Sequence, residues 1–329
     1  MSDDNLTPQP LNNGNNWERG VLEKLAMNSL NEQRKSRNWG ILFKSLGFLC
    51  LFIALFALIG LFKSGEKALT GKHTAVVELN GIIAPGSAAS AEKVIEGLQH
   101  AFKNKEAQGV ILHINSPGGS PVQSGYINDE IHRLKKKYPD KPLYAVVQDM
   151  CASGGYYVAV AADKIYVDKA SLVGSIGVRM DGFGLTGAME KLGVERRLIT
   201  AGENKGFLDM FTALDPKQKA YAEKMVGEIH QQFIDVVKTG RGARLKETPD
   251  MFSGLIWTGE KSVQLGLADA MGSADYVARE IIKAEDMIDY TPQDNIADRL
   301  ARRFGAAGAE SVLRGMGLEG SGQGGIKLR

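Results

Sequence analysis

The sequence predicts an α/β fold with a mainly parallel sheet, preceded by one N-terminal transmembrane helix. Three observations predict it. Near-continuous apolar runs of strand length, residues 109–115 and 143–148 among them, alternate with amphipathic runs of helix length, the pattern of βα units. Residues 45–62 form an uncharged apolar run of 18 residues, long enough as a helix to cross a bilayer. Two glycine-bearing turns, Asn115-Ser-Pro-Gly-Gly-Ser120 and Ala152-Ser-Gly-Gly155, each follow an apolar strand.

Along the chain, residues 1–44 are polar and rich in Asn, Gln, Ser and charge. A short helix is expected near 17–30 and a flexible segment otherwise. In the run at 45–62 nothing amphipathic favours a soluble core helix, and the long polar leader argues against a cleaved signal peptide. Lys44 can snorkel, so 41–43 extend the run. Arg34, Lys35, Arg37 and Lys44 precede it, with Arg19 and Lys24 further back, whereas Lys63, Lys67 and Lys72 follow. The excess predicts a cytoplasmic N-terminus and everything beyond 63 outside the cytoplasm. A linker at 63–73 then leads to a globular domain at 74–290. The C-terminal segment, 291–329, ends in a flexible Gly-rich tail.

Within the globular domain, 74–83 reads as a strand or the start of a hairpin. Residues 92–103 fit a helix with Val94, Ile95, Leu98 and Phe102 on one face. The strand at 109–115 is followed by a helix at 124–138 and a strand at 143–148. Further elements are a small-residue helix at 157–163, strands at 165–168 and 195–200, and a helix at 184–192. Asp215-Pro216 is a strong helix start, with Asp as cap and Pro in the first turn; that helix runs to about 238, burying Tyr221, Met225, Ile229, Phe233 and Val236 or Val237. Short helices at 260–265 and 274–284 close the domain.

The content is ordinary for a globular chain of 329 residues, 43% hydrophobic and 24% charged. A formal net charge of +2 with no basic stripe excludes a dedicated nucleic-acid binder. Cys50 and Cys151 imply no disulfide framework, and no metal or cofactor is expected.

Ser153 sits at a sharp strand-to-helix turn, where its Oγ is exposed beside the positive end of a helix. Either it is a nucleophile or it merely caps the helix, and the sequence leaves the two about even. The two glycine turns could be packing punctuation, or could converge backbone amides into an oxyanion hole. A nucleophile needs a base. His100, His132 and His230 lie on predicted helices, His113 on a buried strand, and none of the five histidines, His73 included, stands in a Gly-flanked loop. A lysine can replace histidine where it is kept neutral, and Lys205, in Thr200-Ala-Gly-Glu-Asn-Lys-Gly-Phe-Leu208, is the candidate, although most lysines are solvated. Cys151 as a thiol nucleophile lacks a basic partner. Gly182-Phe-Gly-Leu-Thr-Gly187 matches a dinucleotide-binding pattern, with Glu203 near the ribose-acid spacing, but fits a simple turn equally well.

Taken together, Asn115-Ser-Pro-Gly-Gly-Ser120, Met150-Cys-Ala-Ser-Gly-Gly-Tyr-Tyr157, Leu172-Val-Gly-Ser-Ile-Gly-Val178 and the Lys205 loop resemble a bacterial signal peptide peptidase of the SppA type. The 52-position step from Ser153 to Lys205 is similar to that of its short, single-repeat members. The likeness spans about 74–276 and the anchor. It implies a ClpP/crotonase-like stacked β-β-α superhelix carrying a serine endopeptidase. It implies Ser153 as nucleophile, Lys205 as general base and Ser175 as the group orienting the lysine. Gly119 or Gly118, together with Gly154, would supply oxyanion-hole amides. The acidic Glu203 beside Lys205 departs from a neutral-lysine site. By resemblance the substrates are remnant signal peptides and other peptides released at the inner (cytoplasmic) membrane, and the assembly is a ring-like homo-oligomer, an octamer. Competing readings are a crotonase-like acyl-CoA enzyme, which usually employs acidic residues, and a non-catalytic membrane scaffold.

Overall fold

The computed structural model describes residues 14–63 and 71–292, and the chain divides into two compact units, Met1–Ala68 and Leu69–Arg329. In the first, one helix, α1 (Gly14–Lys63), runs for 50 residues. Residues 14–44, expected to be mostly flexible, belong to it. They hold Leu, Glu, Lys and Arg at intervals and no proline, and those four residue types lose little freedom in a helix. Among the described residues no helix is long and apolar enough to cross a membrane. The side chains of 56–62, which complete the uncharged run, lie outside the described residues. So does most of the expected linker at 63–73, and almost all of the segment at 291–329.

The second unit is a mixed α/β structure around a parallel-rich sheet. Its central strands, β1 (His73–Asn80), β2 (Ala107–Ser116) and β3 (Leu143–Ala152), pair in parallel. Parallel neighbours need crossovers, supplied by α2 (Ala91–Lys103) and α3 (Pro121–Lys137). After β3 come α4 (Gly154–Ala159), β4 (Lys164–Val167), β5 (Leu172–Gly174) and α5 (Thr186–Lys191). The chain then forms α6 (Pro216–Arg241), β6 (Ile256–Thr258), α7 (Gly259–Gln264), β7 (Ala270–Met271), α8 (Ala274–Tyr276) and β8 (Met287–Asp289). The sheet order is β6-β5-β3-β2-β1-β8, with β4 pairing β3 and β7. Among the described residues only β5 and β6 pair antiparallel, and β1 pairs in parallel with β2 and β8, so the hairpin considered for 74–83 is not formed.

The period-2 alternation of the strands divides two cores. Val77, Leu79, Leu112, Ile114, Ala145 and Val147 face the larger core, under the helices. Val76, Ile111 and Val146 face a smaller one beneath a π-helical turn at Val277–Ile282.

Capping sets the helix starts. Ser120 accepts from the Gln123 N–H and Pro121 occupies the first turn, so α3 begins three residues before the expected 124. Asp215 accepts from the Lys217 N–H and α6 begins as expected. Phe233 and Val237 are buried on α6, whereas Tyr221 stays 63% exposed, edge-on to Phe207. The strand expected at 195–200 is not formed. Those residues are exposed and pair with no strand among the described residues, so they lack the neighbour that a hydrogen-bonded ladder requires.

Candidate active site

Ser153 follows the C-terminal end of β3, an interior strand of the sheet, and α4 starts at the next residue. Ser153 adopts φ 52° and ψ −122°, a backbone region that costs a non-glycine residue about 1–3 kcal/mol unless its surroundings hold it. Its N–H donates to Gly174 O at 2.8 Å, and its carbonyl accepts from Tyr157 N–H at 2.9 Å. The side chain makes no capping bond to the helix. The capping alternative therefore fails, and the hydroxyl is left facing a cavity of about 1020 Å³.

Ser175 stands beside Ser153 for a reason of register. Ala152 pairs with Gly174, so the two serines follow paired residues. Ser175 also has positive φ, 51°, and its N–H donates to Leu255 O at 2.7 Å. Both serines line the cavity.

The Gly118–Gly119 turn closes over the same point. A Cβ built on Gly118 would lie 2.6 Å from Gly154 N, and one on Gly154 would lie 3.1 Å from Gly119 N. Gly118 has φ 96°. Ile83 bridges the turn by donating to Gly118 O at 2.9 Å and accepting from Ser120 N–H at 2.8 Å. The Gly118 N–H is taken by Ser116 Oγ at 3.1 Å. The Gly119 N–H takes part in none of these bonds. Of the two amides the sequence left open, Gly119 is the one available, with Gly154 beside it.

Lys205 is not brought to Ser153 within this chain. It is exposed in a turn, its N–H bonded to Gly202 O at 3.1 Å, and it does not line the cavity. Nor does any histidine line it. His113 lies 2.8 Å from Glu78 Oε1 and against Gln148, in a separate cleft. His230 Nε2 lies 3.2 Å from Ile176 O. Cys151 is fully buried, and burial pushes its thiol far up, which removes it as a nucleophile. The glycine pattern at 182–187 follows no strand and opens a six-residue helix, and a Cβ built on any of its three glycines would meet nothing within 4 Å. It is an open turn. Among the described residues no cluster of side chains could hold a metal.

Sequence reasoning passed over two residues of the site. Ser116, fully buried, also donates from Oγ to Gly81 O at 2.6 Å and so ties the glycine turn to the end of β1. Asp129 lines the cavity from α3, below Val122 and Tyr126; their helical spacing, three and four residues apart, was the signal available for it.

The model of peptidase family S49 matches residues 135–287. The Na(+)/H(+) antiporter NhaA of Brucella melitensis is 43% identical over 202 residues, 60% of this chain, and the chain spans 27% of that protein's length. The "Putative protease MJ0651" of Methanocaldococcus jannaschii is 32% identical over 271 residues, covering 75% of this chain and 86% of that protein. The "Putative signal peptide peptidase SppA" of Enterococcus faecium is 27% identical, over 69% of this chain and 67% of its own length.

Proposed function

Since the chain belongs to peptidase family S49, we propose that it is a serine endopeptidase in which Ser153 is the nucleophile and Lys205 the general base. The observation that carries the reading is the strained Ser153 turn, with its hydroxyl in the cavity and the Gly119 amide alongside. In the mechanism, neutral Lys205 takes the Ser153 proton as Oγ attacks the substrate carbonyl. The Gly119 and Gly154 amides stabilise the tetrahedral oxyanion; its collapse breaks the peptide C–N bond, the leaving amine takes the proton from Lys205, and water, deprotonated by the again-neutral lysine, then hydrolyses the acyl-enzyme. Ser175 orients the lysine amine.

In this reading the site is completed between subunits, in a ring of eight by resemblance. Lys205 is exposed on a segment, 178–215, several of whose apolar side chains stand in solvent, with Phe183 77%, Leu192 77% and Ile199 95% exposed. Burial of such a segment against a neighbouring copy would bring its lysine to that copy's Ser153. The uncharged run at 45–62 and its basic flank support an anchor in the cytoplasmic membrane, with the catalytic domain on its outer side. Remnant signal peptides and other membrane-released peptides are then the substrates, and a ClpP/crotonase-like superhelix is the scaffold.

Two experiments test this. A fluorophosphonate probe should add its mass to Ser153; labelling elsewhere, with Ser153 untouched, removes the nucleophile. Mixing inactive Ser153→Ala and Lys205→Ala chains should restore part of the activity. No recovery in mixtures shown to co-assemble retires the shared site.

A further inference from the structure

The cavity beside Ser153 holds a charge that the proposed reaction does not use. α3 contributes Val122, Tyr126 and Asp129 to its lining, one helical stripe that climbs about 10 Å along the helix axis. Tyr157 and Phe233 line the same cavity and pack with ring centroids 5.2 Å apart. Tyr126, Tyr157 and Phe233 thus offer aromatic faces in the cavity that Ser153 and Asp129 share, among polar groups that include Ser124, Ser175 and Gln232.

Asp129 makes no ion pair or side-chain hydrogen bond among the described residues. The nearby cations of α3 are engaged elsewhere, Arg133 with Glu130 and Lys135 with Asp163. Arg179, the other charged side chain lining the cavity, has Asp181 at 3.5 Å. Asp129 also acts on the cavity wall: burial, and then its negative charge, push the Tyr157 phenol up. A cavity that offers aromatic faces and an exposed, unpaired carboxylate matches a side chain with an aliphatic shaft and a cationic tip.

We propose that Asp129 selects peptides carrying lysine or arginine near the scissile bond. The methylenes pack against Tyr126, Tyr157 and Phe233, and the cation meets the carboxylate. A glutamate in the same place meets like charge and is disfavoured. The inference rests on Ser153 being the nucleophile, because the cavity is defined by its hydroxyl.

The test uses the full chain and peptide pairs that differ only by lysine or norleucine, which share the aliphatic shaft, at each of the three positions before the cleaved bond. At one position the wild type should prefer lysine by about fivefold or more in kcat/KM. In Asp129→Asn that ratio should fall towards one, and in Asp129→Lys glutamate should become preferred over lysine. Ser153→Ala is run alongside. Hydrolysis that needs Ser153 but shows the same lysine-to-norleucine ratio in wild type and Asp129→Asn overturns the role of Asp129 alone. Hydrolysis that persists in Ser153→Ala overturns the nucleophile, and this proposal with it.

Discussion

Ser116 Oγ accepts the Gly118 N–H at 3.1 Å, and this bond engages one of the two adjacent amides of the glycine turn and leaves the other to Gly119. The same hydroxyl donates to Gly81 O, so one buried side chain holds the turn from both sides. Ser116→Ala leaves the Gly118 amide without its partner, at a cost of about 1–3 kcal/mol for a buried donor. We expect lower stability in urea unfolding and a fall in kcat that exceeds any rise in KM, because the proposed oxyanion donors lose their fixed position. An unchanged kcat would separate Ser116 from the site.

The strain at Ser153 gives a prediction that opposes stability to activity. At φ 52° a Cβ is unfavourable and glycine is not. Ser153→Ala and Ser153→Gly should both be inactive, yet the glycine variant should be more stable than the alanine variant by about 1 kcal/mol. Thermal unfolding of the two checks it; equal Tm values would show that the turn is not strained.

The sequence made the alternation of strands and helices legible because buried parallel strands are apolar on both faces and stand out from their polar surroundings. The positions of Ser153, Ser175 and the glycine turns followed from that pattern together with the resemblance. Three features were not legible. Which amide is free depends on Ser116 and Ile83, which contact the turn only in the fold. Residues 195–200 have strand composition, but composition carries no information on whether a neighbouring strand exists. Asp129 lies 24 positions from Ser153 in sequence, and only the packing of α3 brings it to the cavity.

Arg241, 1% exposed, holds Asp269 through two guanidinium bonds of 2.8 and 3.0 Å, while Asp269 also accepts the Ile165 N–H at 2.7 Å. Burial alone would raise the Asp269 carboxyl, but the bonds from Arg241 and Ile165 outweigh it and hold it below its ordinary value of 3.8. A depressed carboxylate stabilises the fold above its unfolded-state value, and that contribution is lost as pH falls through the lower folded-state value. Asp269→Asn leaves Arg241 buried without its counter-charge, costing about 3–5 kcal/mol at neutral pH. The gap from wild type should narrow as pH drops below about 4. Unfolding curves at pH 7 and pH 3 test this; a gap that does not shrink in acid would assign the stability to packing.

Arg196 and Asp209 form an ion pair at the base of the loop that carries Lys205, with side chains only 30% and 13% exposed in an otherwise solvent-facing segment. The Arg196 guanidinium also lies 5.2 Å over the Phe211 ring. On the far side of the loop Leu208 has φ 52°, and its N–H donates to Gln218 Oε1 at 3.0 Å. These contacts give the turn at 202–208 a fixed shape before any neighbour arrives, so Arg196 should act as a positioning residue for Lys205. Arg196→Ala should lower kcat on the order of tenfold or more, since a small misplacement of a reacting group is costly, with little change in KM. Exchanging the pair, Arg196→Asp with Asp209→Arg, should recover part of the loss. The decisive readout is mixing. In a shared site, Arg196→Ala chains keep a sound Ser153 and Ser153→Ala chains keep a sound loop, so co-assembly of the two should restore activity. Arg196→Ala with Lys205→Ala chains should restore none, because both lack a working loop. Recovery in the second mixture equal to that in the first would place the effect of Arg196 outside the lysine loop.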